Sequence, residues 1–246
     1  MLSKISRILV PLALAAVIYI NYLAGTGQIG GITPEYISAK YPTLITPAGY
    51  AFSIWGLIYL LMIAFSAYQL FKSGFAHLDK VRWFFILSCV GNISWIFAWH
   101  NHYLGLSVVA MLVLLSSLVL INLSAKELDS APDEWLVRVP FSIYFGWVSV
   151  ATVLNVTIFL ISQDITAGVF ASKVIACLLI ATLAIVGIVI REKLNAAFYP
   201  LTVAWAVTAI GVKQSGNTAI VVACAIAVIV LILSSLTFVL KTESDE

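Results

Sequence analysis

Trp147 and Asn155 stand eight residues apart in GWVSVATVLNVTIF, residues 146–159, a run without a charged residue. An indole offers a flat apolar face and one N–H donor, and an amide offers both a donor and an acceptor. Eight helical steps of about 100° bring the two within roughly 80° of one another, with Ala151 between them and Phe159 a turn beyond. All four line one broad helix face. Ser88, Asn92, Trp95 and Trp99 repeat the arrangement at i, i+4, i+7 and i+11, and Phe52, Trp55, Tyr59 and Ser66 do so again. Aromatic planes with sparse hydrogen-bonding groups suit a large, flat, mostly apolar ligand, which gains from stacking and needs few polar contacts. The same residues are also what holds helices together, since amides bond across helix pairs for about 1 kcal/mol each. Spacing alone leaves both readings open.

Other reactive side chains offer less. His77, His100 and His102 are the histidines, and HNH at 100–102 reads as a short outer turn with no carboxylate or cysteine nearby, so no metal site is expected. Cys89, Cys177 and Cys224 fall in apolar runs and read as small buried hydrophobes, without disulfides. No G-x-x-x-x-G-K loop is present, and no Asp or Glu lies inside the apolar runs, which argues against nucleotide use and against proton coupling through an intramembrane carboxylate. Lys213 lacks the acidic counter-ion that a retinal protein requires.

The elements that must position these residues are membrane helices. Hydrophobic residues make up 62% of the chain and charged ones 10%, and the mean hydropathy is +1.08, outside the range of soluble domains. Runs bounded by charge, Pro and Gly predict eight helices, at about 8–24, 48–71, 82–100, 105–124, 138–162, 171–190, 198–213 and 217–240. The 198–213 run is short and carries Pro200 in its first turn. The first 25 residues resemble a signal peptide in having Lys4 and Arg7 before an apolar run, but that run continues to Ala24 with no clear cleavage site, so a retained helix is expected.

If all eight cross, Lys4, Arg7, Lys72, Lys80, Arg82, Lys126, Arg138, Arg191, Lys193 and Lys241 share one side, against Lys40, Lys173 and Lys213 on the other. That asymmetry makes both termini cytoplasmic. The net charge of +2 is dispersed over loops and implies no nucleic-acid partner. Residues 25–47, GTGQIGGITPEYISAKYPTLITP, then form the long outer segment, read as an irregular ordered loop that either covers an outward cavity or merely connects. AKELDSAPDEWLVR, residues 125–138, is the most charged loop and reads as solvated, although DSAPDEW also has the form of a helix start.

The run PFSIYFGWVSVATVLNVTIF resembles the last helix of the TspO/MBR family, the tryptophan-rich sensory proteins that include the translocator or peripheral benzodiazepine receptor. Pro140, Trp147, Val148, Ala151, Thr152, Leu154, Asn155 and Ile158 carry the match. TPAGYAFSIWGLIYLLM, residues 46–62, resembles the start of the family's second helix, and GNISWIFAW, residues 91–99, its third. The resemblance covers about residues 8–162 and implies a five-helix bundle around a cavity capped by the segment between helices one and two. Residues 163–246 are then a C-terminal extension of about three helices, giving an all-α integral membrane protein of two parts, 1–162 and 163–246.

Tyr50 stands where the family usually has Trp, the Phe52-to-Trp55 spacing is one residue short, and Phe159 replaces a family Trp. That Trp and one at the start of the second helix are linked in the family to photo-oxidative degradation of porphyrins, so their replacement argues against an enzyme. The resemblance implies a binding or sensory protein of the cell membrane, with Trp55, Tyr59, Asn92, Trp95, Trp99, Trp147, Ala151, Asn155 and Phe159 lining a site for a tetrapyrrole, sterol or isoprenoid ligand. No cofactor is expected beyond such a ligand. A permease for a hydrophobic small molecule is the alternative, and the lipid bilayer and a second copy in a homodimer are the expected partners. No strong small-xxx-small motif marks a dimer interface.

Overall fold

The computed structural model describes residues 2–72 and 76–242, with side chains over 4–72 and 78–236; those of His77 and Lys241 lie outside the described residues. All regular structure among them is helical. In order the helices are α1 (Leu2–Gly25), α2 (Pro34–Lys40), a 3₁₀ turn at Gly49–Ser53, α3 (Ile54–Phe71), α4 (Ala76–His100), α5 (Leu104–Ala125), α6 (Ala131–Asp133), a π-helical turn at Glu134–Arg138, α7 (Val139–Ser162), α8 (Val169–Leu194), α9 (Phe198–Lys213) and α10 (Thr218–Thr242). Seven stretches among the described residues are long and apolar enough to cross a bilayer, and α9, 16 residues long, is a shorter apolar helix. The protein is therefore an all-α, multi-pass membrane protein.

The described chain divides into two compact units. Unit 1 holds residues 1–40 and 54–141; unit 2 holds residues 41–53 and 142–246. In unit 1, α4 is the central helix and packs against α1, α2 and α5. Gly91 sets the α4–α5 approach: a Cβ there would lie 3.0 Å from the Leu114 backbone nitrogen. Where α3 meets α4 and the start of α7, Phe65, Phe85 and Phe141 form a cluster of edge-to-face rings with centroids 4.8–5.7 Å apart. Such offset aromatic contacts add about 0.5–1.5 kcal/mol each beyond the area they bury.

In unit 2 small residues make the contacts. Lipid gives no hydrophobic reward for pairing helices, so close backbone approach has to supply the dispersion energy. α9 buries Tyr199, Thr202, Val203, Ala206, Val207, Ala209 and Ile210 and leaves one exposed stripe, Leu201, Trp205, Thr208 and Val212. Gly146 of α7 meets it so closely that a Cβ would lie 2.8 Å from the Tyr199 carbonyl and 2.9 Å from Thr202 Cβ. α8 and α10 complete the packing, with Ala176, Ala184 and Gly187 of α8 facing inward while Leu178 and Ile185 face out.

Three sequence expectations change. Residues 25–47 are not wholly irregular, because Thr33-Pro34-Glu35 starts α2: Thr33 Oγ1 accepts from the Tyr36 N–H at 3.4 Å, Pro34 is the first helical residue and Glu35 sits in the first turn. Gly27, Gly30 and Gly31, at φ of 72°, 66° and 73°, make the bend before it. The helix expected from 138 begins instead at Ala131, with Ser130 as its N-cap. A π turn separates that start from Pro140, which has no N–H to donate and whose ring crowds the carbonyl four residues earlier. Asp133 is consequently a buried residue of an apolar helical stretch, 3% exposed, rather than solvated loop charge.

Gly146→Val should destabilise the protein by about 1–3 kcal/mol, because the added side chain has backbone rather than a flexible tip to displace. Gly56→Ala, where a Cβ meets nothing within 4 Å, should be neutral or slightly stabilising. Thermal denaturation in detergent checks the pair; equal midpoints for both variants would contradict the close approach.

Candidate functional site

The predicted site residues fall in both units. In unit 1, Trp55 and Tyr59 stack on α3 with centroids 5.5 Å apart and planes 21° from parallel. Trp95 and Trp99 do the same on α4, at 5.5 Å and 24°. Trp55, Tyr59 and Trp95 are half-buried, so part of each ring faces open space. Trp99 is 3% exposed, and its Nε1–H donates to the Pro34 carbonyl at 3.2 Å. That bond ties α2 to the end of α4, where the donor left at the rim of an apolar helix meets the carbonyl of a helix start.

Asn92 is fully buried, and its Oδ1 accepts from Asn21 Nδ2 at 2.6 Å. Asn21 also donates to the Val17 carbonyl at 2.9 Å, which fixes its rotamer on α1. The amide oxygen of Asn92 therefore serves as an α1–α4 tie, the interhelical role that spacing had left open. Asn21 was missed because it stands alone among apolar neighbours, with no second polar residue at helical spacing.

In unit 2, Trp147 is 3% exposed and meets Phe52 edge-to-face, with centroids 5.7 Å apart. Asn155 is 2% exposed and has a partner. Ala151 and Phe159, on the same helix face, are half-buried. Residues 41–53 are tied to α9: Trp205 Nε1 donates to the Ala51 carbonyl at 3.2 Å, the Ala48 N–H to the Ala209 carbonyl at 2.9 Å, and Gln214 Nε2 to the Thr43 carbonyl at 3.3 Å. Tyr50, which stands at a family Trp position, packs edge-on against Trp205.

The other end of unit 1 carries charges whose positions reveal more than orientation. Arg82 is 2% exposed; its Nε donates to Gln69 Oε1 at 2.8 Å, and its Nη2 to the Gln69 and Lys72 carbonyls at 2.7 and 3.0 Å. Asp79 pairs with its remaining nitrogen. Arg7 adds a bond to the Lys72 carbonyl at 2.9 Å. Nearby, Asp133 accepts from Tyr68 Oη at 2.7 Å and from Lys72 Nζ at 3.1 Å, and also pairs with Ser130 Oγ. Contact with Tyr68, followed by Asp133, raises the Lys72 ammonium above its ordinary value. The stabilisation this brings is present at neutral pH and is lost only as pH rises through the raised value.

The HNH triplet is only partly a surface turn. Asn101 and His102 are exposed, with His102 at φ 57°, but His100 is 6% exposed and its Nδ1 lies 2.9 Å from the Ile96 carbonyl. A separate cleft of about 500 Å³ opens between α4 and α5, bordered by lipid-facing Val90, Phe97, Leu106 and Val109; none of the predicted site residues borders it.

A double-mutant cycle of Asn21→Ala and Asn92→Ala should give a coupling of about 0.6–1.7 kcal/mol in detergent unfolding. Strict additivity would contradict the tie.

Neither the curated proteins nor the solved structures include a match to this chain. The profile of the family described as TSPO-like protein does match it, over residues 7–237, and so runs through α8 and α9 into α10. A multi-pass helical chain with its amides and indoles at the spacings described, matched over nearly its whole length, belongs to the TSPO-like protein family.

Proposed function

We propose that this is a membrane-embedded binding or sensory protein for a planar hydrophobic ligand of tetrapyrrole, sterol or isoprenoid type. The observation that carries the reading is the Trp95–Trp99 stack with α2 tied across its end through the Pro34 carbonyl. A half-exposed indole, Trp95, backed by the buried Trp99 is a good platform for a flat apolar molecule. Trp55, Tyr59 and Asn92 in unit 1 and, separately, Trp147, Ala151, Asn155 and Phe159 in unit 2 are assigned to ligand binding on the family's pattern, and with Trp95 and Trp99 these nine residues act as binding rather than catalytic groups. Residues 25–47 cover the outward side, both termini are cytoplasmic and the membrane is the cell membrane, an orientation supported by the basic residues at one set of helix ends.

Purified protein titrated with protoporphyrin should show saturable tryptophan quenching in the micromolar range. Trp95→Ala, Trp147→Phe and Asn155→Ala should each weaken it by roughly tenfold, the size of one lost contact of about 1.4 kcal/mol. Unchanged titrations in all three variants would make these residues packing elements.

Asp133 favours a second reading, a permease. A carboxylate buried beside Tyr68 and Lys72 at one end of an apolar helical stretch is the kind of charge that marks a solute pathway in a membrane protein. In proteoliposomes a permease moves bound ligand across the bilayer, and Asp133→Asn then slows the flux while binding persists. Binding without flux decides for the sensor.

A further inference from the structure

A second cleft, of about 420 Å³, opens between α4 and α5 at the opposite end of that helix pair from Asn101 and Tyr103. Lys80 and Phe84 border it near the start of α4, Leu120, Leu123 and Ser124 near the end of α5, and Glu127 just beyond. The volume falls in the range of small-molecule sites and is far more than a single water needs. Its walls change character along its length. Leu120 and Leu123, 39% and 48% exposed, open the inner part on the bilayer beside Phe84, whereas the outer part carries an ammonium, a carboxylate and a hydroxyl.

The two charges border one space without pairing. Ion pairs among the described residues join Lys72 to Asp133, Arg82 to Asp79 and Arg138 to Glu134, and neither Lys80 nor Glu127 takes part in one. Asp79, next to Lys80 in the chain, is engaged by Arg82, and Lys126, exposed beside Glu127, does not border the cleft. The helix ends reinforce the asymmetry. α4 begins here, so its positive pole lies on the Lys80 side, and α5 ends here, so its negative pole lies on the Glu127 side. A phosphate is favoured on the first side and an ammonium on the second. A free phosphate would meet Glu127 with a like charge and leave the leucine wall unused, whereas an amphiphile with both charges in one headgroup above an apolar chain matches the cleft along its whole length.

We propose that this cleft is a binding site for a bilayer phospholipid whose headgroup ends in a primary ammonium, phosphatidylethanolamine by class. Its phosphate lies against Lys80, its ammonium against Glu127 and an acyl chain along Phe84, Leu120 and Leu123, with Ser124 Oγ donating to a phosphate or ester oxygen at the boundary. A phosphatidylcholine headgroup has the same charges but no N–H to give the carboxylate, and phosphatidylglycerol brings no cation to Glu127. Trp55, Tyr59, Asn92, Trp95 and Trp99 do not border this cleft, so the lipid site stands or falls apart from the aromatic one.

Delipidated full-length protein in detergent is titrated with dioleoyl phosphatidylethanolamine, phosphatidylcholine and phosphatidylglycerol, and bound lipid is counted by native mass spectrometry. The ethanolamine lipid should fill one site roughly fivefold more tightly than either of the others, as a partly screened ion pair allows, and the margin should shrink with added ammonium acetate. Glu127→Gln should bring it down to the level of phosphatidylcholine, Lys80→Gln should weaken all three lipids, and Lys126→Gln should change nothing. Lys80 and Glu127 are exposed, so these variants should keep the wild-type thermal midpoint, and the wild-type ranking needs no variant at all. Equal affinity for the three lipids makes the cleft an ordinary boundary-lipid surface and overturns the site, as does a preference for phosphatidylglycerol. A margin that survives Glu127→Gln, or that Lys126→Gln removes equally well, overturns it too.

Discussion

A carbonyl at the end of a helix in lipid has no water to turn to, and a bundle that leaves such groups bare is unfavourable by several kcal/mol for each. Arg82 is unit 1's answer to that constraint. Its guanidinium reaches from α4 to the last carbonyls of α3, and Gln69, itself fully buried, returns bonds to Arg82 and to the Arg7 carbonyl of α1. Three helices are therefore knotted at one end by backbone satisfaction rather than by paired charges. With α1, α3 and α4 fixed in this way, the Asn21–Asn92 bond halfway along and the Trp99–Pro34 bond at the far end fall into register.

Unit 2 meets the same solvent differently. Its contacts are made through Gly146, Gly211 and the small residues of α8 and α9, where a Cβ would strike a neighbour or nearly so. Close backbone contact rigidifies α7 around Trp147 and Asn155 without spending polar groups on the task. In unit 1 the polar ties lie to one side of the α4 stack, which leaves the Trp95 ring, backed by the buried Trp99, partly open for a ligand.

Much of the fold was legible because membrane helices announce themselves by length and apolarity. The 198–213 helix has the bounds read from sequence, since Pro200 and Lys213 mark its ends, and α5 differs by one residue at each end. The starts at Thr33-Pro34-Glu35 and Ser130-Ala131-Pro132-Asp133 were written in capping chemistry, but the Gly, Pro and Thr content of the first segment and the charge of the second outweighed it. The direction in which Arg82 and Asp133 turn was not legible at all. A charged residue beside an apolar run reads as an interfacial marker until the packing shows which carbonyls or hydroxyls stand within its reach. Likewise the amide of Asn92 had two equivalent uses on spacing alone, and only the lone Asn21 on α1 decides how its oxygen is used.

The central claim is that ligand is held against Trp95 and Trp99 beneath α2. Hydrogen–deuterium exchange followed by mass spectrometry, on detergent-solubilised protein with and without saturating protoporphyrin, tests it directly. The account predicts slower exchange on loading in residues 34–40 and 95–103, with the far end of unit 1 around Gln69 and Arg82 unchanged. Loading that leaves 34–40 and 95–103 exchanging as in the free protein would contradict it.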